Sequence, residues 1–195
     1  MRRLLSAGLA LLLALPAAAI TAPEPAGEAL LRSARIWEIK HRPDLQRLAL
    51  EKYLLAHPDD NQALHALGEL EIRSSRFDIA QKLIDRLKAG DADSATARDL
   101  SDAYRIATRD RLQMATINRL LQTGRYPEAV AALRQLFPNG APGGQLGIDY
   151  YRVIDSSSPG WAEADRGLRQ LLRDNPDDPK FIMPLANHLS RRDAS

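Results

Sequence analysis

N-Q-A-L-H-A-L-G-E-L-E-I-R-S-S-R-F-D-I-A-Q-K-L-I-D-R-L, residues 61–87, decides the fold. Leu64, Leu67 and Gly68 fall on one side of a helix, residues 73–76 turn the chain, and Ala80, Ile84 and Leu87 recur at helical spacing beyond the turn. A 3.6-residue period on both sides of a short polar turn predicts two amphipathic helices laid face to face. Gly68 and Ala80 are small where a neighbouring helix presses closest, and Phe77 is large where the turn needs a plug.

This pattern resembles a tetratricopeptide repeat, a helix pair of about 34 residues that stacks into a solenoid. One repeat upstream, Leu30, Ser33, Ala34 and Trp37 form a first helical face, and Leu50 and Tyr53 a second. Pro43 suits the first turn of that second helix, Asp44 adds negative charge at its start, and Pro58 closes the unit. The turn H-P-D-D-N at 57–61 has a near copy, N-P-D-D-P, at 175–179. In each, proline stops one helix and an Asp or Asn is placed to cap the next.

Between residues 90 and 108 the register slips. Residues 91–96 read as a loop with cap residues and 97–107 as helical, with Leu100, Tyr104 and Ala107 on one side: an imperfect unit or an inserted helix. The repeat resumes near residue 110 with Ile117, Leu120 and Leu121, a turn at 124–126, then Ala129, Leu133 and Leu136. Gly124, Tyr126 and Ala129 match the repeat positions best. A further unit carries Ile148 and Tyr151, turns at 156–160, and continues through Trp161, Ala164, Leu168 and Leu171. Phe181, Ile182, Leu185 and Leu189 give one more apolar face, and residues 191–193 start a turn. The pattern stops inside a pair, which leads us to expect a fragment whose residues 181–189 are sticky or frayed. The expected organisation is units near 27–60 and 61–94, an irregular segment 95–109, units 110–144 and 145–178, and an incomplete unit 179–195.

The first residues read as an export signal. Arg2 and Arg3 precede an apolar run from Leu4 to Leu15, and Pro16-Ala17-Ala18-Ala19 supplies the small residues of a cleavage site after Ala19. The run is too short for a bilayer, which needs about 20 residues. Residues 1–19 are therefore expected to be a signal peptide, 20–27 a flexible Pro-rich tether, and 28–195 an all-α tetratricopeptide-repeat α-solenoid of antiparallel helix pairs. Without Arg2 and Arg3 the remaining chain has as many basic as acidic residues, 25. That balance argues against nucleic acid as a partner. Cysteine is absent, so packing rather than disulfides holds the fold.

Several stretches in order resemble the start of bacterial cellulose synthase operon protein C. They are Leu30-Leu31, R-P-D-L at 42–45, A-Q-K-L-I-D-R-L at 80–87, E-A-V-A-A-L-R-Q-L-F at 128–137, N-G-A-P at 139–142, Leu146, Tyr150-Tyr151, and L-A-N-H-L with R-R-D at 185–193. The resemblance implies a periplasmic repeat array leading to an outer-membrane β-barrel through which cellulose leaves, and a role as scaffold among the other components of the cellulose synthase complex. No alternating barrel strands occur in the sequence. The alternatives are a module that binds the cellulose chain or cell wall, and a generic repeat adaptor of another envelope complex.

Nothing in the sequence assembles into catalytic, cofactor or metal chemistry. His41, His57, His65 and His188 are scattered, none pairs with a carboxylate or a second His at metal-ligand spacing, and all read as exposed helix or turn residues. Asp59-Asp60 and Asp177-Asp178 read as caps rather than glycosidase pairs. Ser156-Ser157-Ser158 lacks a His signature, and the loop 138–147 lacks the Lys-Ser/Thr pair of a phosphate loop. A partner-binding groove remains, for which Gln62, His65, Glu69, Arg73, Arg111, Met114 and Asn118 are the candidates, on first helices of pairs and not spent on packing. Trp37, Tyr126 and Trp161 could stack on sugar rings, but their repeat positions point to the core.

Overall fold

A computed structural model describes residues 26–176 and 178–193. The predicted signal peptide and residues 20–25 of the tether lie outside the described residues. Ala26 and Gly27, expected in the tether, are instead the first residues of α1, where Gly27 sits against Tyr53 and His57.

Ten α-helices follow one another among the described residues: α1 Ala26–Ile39, α2 Pro43–Ala56, α3 Asn61–Arg73, α4 Phe77–Gly90, α5 Ala95–Thr108, α6 Arg111–Gln122, α7 Tyr126–Leu136, α8 Gly144–Asp155, α9 Trp161–Asp174 and α10 Ile182–Asp193. Four helix pairs form, α1 with α2, α3 with α4, α6 with α7 and α8 with α9, and α5 stands single between the second and third. Residues 191–193, expected to begin a turn, are still helical in α10.

Local chemistry sets the boundaries. Pro43 and Pro127 occupy the first turns of α2 and α7, where a missing N–H removes no helical hydrogen bond. Asp60 caps α3 by accepting from the Ala63 N–H at 2.9 Å, and its other oxygen accepts from the Tyr53 hydroxyl at 2.8 Å. Ser94 caps α5 through the Ala97 N–H. Asp178 accepts from the Lys180 N–H and opens a short 3-10 turn, Pro179–Phe181, before α10.

Three of the pairs share one turn. His41 (φ 52°), Ser75 (φ 58°) and Gly124 (φ 73°) are left-handed at the end of α1, α3 and α6. In each case that residue and its successor return their N–H groups to carbonyls of the last helical turn, as Ser75 does to Ile72 and Arg76 to Glu71. This is the Schellman closure, usually made by glycine. His41 and Ser75 lie one 34-residue repeat apart, and the longer gap to Gly124 accommodates α5. The α8–α9 connection differs, closing through a 3-10 turn at Ser158–Gly160.

The interior forms three clusters. The first runs from Ala34 through Leu50, Leu64 and Ile84 to Ala97 and Leu100, so α5 completes the core of the first two pairs. The second gathers Ile117, Leu133, Phe137, Tyr150 and Ile154, and the third Ile148, Leu168, Leu171 and Phe181. Small residues seat the large ones. A Cβ on Gly68 would stand 2.3 Å from Leu100 Cδ2, and one on Gly167 would stand 1.9 Å from the Tyr151 ring. Phe77 plugs its turn by meeting Tyr104 of α5 edge-on at 6.1 Å.

Some expectations about burial are corrected. Tyr126, expected in the core, is 43% exposed: it shares a face with the buried Ala129 and Leu133 but is the first residue of α7, at the end of the helix. Ile182, expected on the apolar face, is 50% exposed, since Phe181 takes the inward position one residue earlier. His188, expected to be exposed and without a carboxylate, is 2% exposed. Its Nδ1 lies 2.9 Å from Asp155 Oδ1 and its ring stacks on Trp161 at 4.8 Å.

Candidate partner-binding surface

Gln62, His65, Glu69 and Arg73 stand at spacings of three and four on α3 and so form one stripe. Gln62 and Arg73 are exposed, while His65 and Glu69 are half-buried. The opposite side of α3 is committed to the core through Leu64, Leu67 and Leu70. Also buried there is Glu71, 1% exposed and clamped by Arg47 Nε at 2.6 Å and Arg76 Nε at 3.1 Å. That buried carboxylate ties α2, α3 and the α3–α4 turn together, which fixes the backbone under the stripe.

The stripe is extended by charged groups from distant parts of the chain. Arg73 Nη2 donates to Glu38 Oε1 of α1 at 3.3 Å. Lys180, ahead of α10, brings its Nζ to 3.9 Å from Glu69 Oε2 and 3.1 Å from Asp178 Oδ2. Burial works to lower the Lys180 pKa, but Glu69, Asp178 and Glu38 together raise it on balance. Three segments thus meet on one charged surface: the end of α1, the outer side of α3 and the turn before α10.

Asp99 of α5 is half-buried. Burial pushes its carboxyl above the usual carboxylate range, against the opposing effects of His65 and the Gly143 N–H. That N–H donates to Asp99 Oδ1 at 3.1 Å, so the Gly/Pro-rich loop before α8 is pinned to α5. The loop contains Gly140 (φ 107°) and Gly144 (φ 54°), and its role is this structural closure.

Arg111, Met114 and Asn118 belong to α6. They line a groove of about 430 Å³ with Ile72, Phe77 and Ile106, at the C-terminal end of α3. Ile72 stands seven residues after His65, on the side of α3 that carries the stripe, so the groove brings the three α6 candidates up to the C-terminal end of that helix. The single helix α5 packs on α3 and α4 on one side and reaches α8 on the other, taking the position beside α3 that a regular array would give to α6. Glu38, Asp178 and Lys180 carry no signal in the sequence that would mark them for this surface. Lys180 and Glu69 are too far apart in the chain for any spacing rule to connect them. The burial of His188 does have a signal, because it follows Phe181 and Leu185 at helical spacing on the inward side of α10.

No model of a known protein family matches the chain. It is 30% identical over 168 residues to the cellulose synthase operon protein C of Pseudomonas fluorescens (strain SBW25), a match that covers 85% of this chain and 13% of that relative. To the protein of the same name in Salmonella typhimurium (strain LT2) it is 31% identical over 172 residues, covering 86% of this chain and 15% of the relative. The chain thus spans about an eighth of the length of the curated relatives it matches. Among solved structures, the flexible tandem repeat domain of the bacterial cellulose synthase C protein superposes with a TM-score of 0.64 at 29% identity, covering 88% of this chain and 72% of that domain. In sequence and in fold, the chain is similar to the tetratricopeptide-repeat region of cellulose synthase operon protein C.

Proposed function

We propose, from this likeness to the repeat region of cellulose synthase operon protein C, that the chain is a non-enzymatic scaffold of the bacterial cellulose synthesis and export apparatus. It acts in the periplasm, reached through the predicted signal peptide at 1–19, and its protein contacts link the synthase to export through the outer membrane. The observation that carries the reading is the charged surface on α3, where Glu38, Glu69, Arg73 and Lys180 converge on a repeat scaffold. Both signs of charge stand there in partly exposed, preset positions, an arrangement that favours specificity and orientation over bulk adhesion.

The test is binding of the purified chain to the other purified components of a cellulose synthase complex. Saturable binding that weakens on Arg73→Glu or Lys180→Glu, and weakens with salt, is the expected result. Binding unaffected by both substitutions would sink the assignment of this surface. A fusion of residues 1–25 to a reporter active only after export would test the location, and a reporter that stays silent would contradict it.

A further inference from the structure

Because α5 has no partner helix, the space beside it is left open. A cleft of about 620 Å³ lies between α5, α6, α7 and the start of the 138–147 loop. Ile117, Ala132, Leu136 and Pro138 supply its apolar surface. On its α5 side, Arg105 bonds Asp102 and Asp110, reaches the Leu136 carbonyl and lies 5.3 Å over the Phe137 ring. The guanidinium is thereby spent, and the two carboxylates leave a surplus of acceptors.

Around the rim stand Gln113, Gln135 and Asn139, all exposed. No hydrogen bond among the described residues engages their carboxamides, so each keeps two N–H donors and an acceptor oxygen for a ligand. The Thr116 hydroxyl donates to the Leu112 carbonyl and so presents lone pairs to the cleft. Excess acceptors, unspent carboxamides and an apolar floor suit a neutral ligand rich in hydroxyl groups, each both donor and acceptor. Two carboxylates against one guanidinium disfavour phosphate or an acidic peptide. The volume is within the range of small-ligand sites, about 300–1,000 Å³.

We infer that this cleft, created where the single helix α5 interrupts the pairs, binds a short stretch of a neutral polyhydroxylated chain, an oligosaccharide of the glucan type. The choice of a β-linked glucan as probe rests on the function proposed above; the chemistry of the cleft does not. The experiment is a titration of the isotopically labelled chain with cellohexaose, followed by amide and side-chain carboxamide resonances. Saturable shifts centred on Gln113, Gln135 and Asn139 are expected. The double variant Gln135→Ala/Asn139→Ala, both at exposed positions, should weaken affinity by roughly tenfold or more, while Lys52→Ala on α2 should leave it unchanged. Absence of saturable shifts at millimolar cellohexaose with the fold intact would overturn the inference. So would equal binding by the double variant, or tighter binding of an uncharged peptide at the same resonances. The complex-binding test varies residues of α3 and of the turn before α10, so either reading can fail while the other stands.

Discussion

The two sides of α5 are built by opposite means. Toward α3, Ala97 and Leu100 are fully buried and Leu100 rests on the bare backbone of Gly68, a dry contact made by close approach. Toward α6 and α7, Arg105 holds Asp102 and Asp110 in a partly exposed ion cluster beside an open cleft. A single helix inserted into an array of pairs can be matched to one neighbour by packing. The other junction then lacks a second helix to fill it, and polar groups that tolerate water take its place. The junction of α5 is therefore dry toward α3 and partly polar on the other side, where Ile106 still packs against the second core cluster.

Substitutions on the two sides separate these mechanisms. Leu100→Ala should cost about 3 kcal/mol, the loss expected when a fully buried leucine leaves a cavity, read from urea unfolding, and the loss should be the same in low and high salt. Arg105→Ala should cost about 1–2 kcal/mol, because its cluster is only partly buried, and that loss should shrink in molar salt. Equal salt response of the two variants would remove the distinction between a dry and a wet junction.

Smaller changes probe the shared turns that set the frame on either side. Gly124→Ala, on the α6 side, forces a Cβ into a left-handed position and should cost about 1 kcal/mol. Ser75→Gly, at the same turn of α3, relieves that strain and should gain about 0.5 kcal/mol after the entropy of glycine is counted. Thermal unfolding of both reads the opposite signs. A loss from Ser75→Gly would mean that the Ser75 side chain contributes more than its backbone strain costs.

The smallest effect concerns Asp99, which joins α5 to the 138–147 loop. Its folded-state pKa is raised, so the folded chain holds the proton more tightly than the unfolded chain. Stability from this group therefore falls as pH rises from the ordinary carboxyl value of 3.8 through the raised one. Asp99→Asn keeps an oxygen for the Gly143 N–H and should flatten this fall, giving a slightly more stable protein at neutral pH. An unchanged pH profile would show that Asp99 is not the titrating group.

The helix pairs are legible in the sequence because their period, small residues and caps are local. Gly68 and Ala80 announce close contact, Asp60 its capping role, and the slip after Gly90 either an imperfect unit or an inserted helix. No local spacing announces that Leu100 is the residue over Gly68, or that α5 displaces α6 from the row beside α3. Those outcomes depend on how the inserted helix packs against distant parts of the chain. Arg111, Met114 and Asn118 reach the C-terminal end of α3 through the groove they line with Ile72, although α5 lies between the two helices in the chain. Lys180 completes the charged surface from the far end of the chain, beyond the reach of any period. The burial of His188 is readable from the period of α10, although its polar side chain argues for the surface.

The most direct measurement of the scaffold account is site-specific photo-crosslinking in cells that make cellulose, with the probe at Gln62 on the α3 stripe or at Leu55 on the exposed side of α2. The account predicts a crosslink to another component of the cellulose synthase complex from Gln62, lost on Arg73→Glu, and none from Leu55. Equal crosslinking from both positions, or crosslinking from Leu55 alone, would contradict it.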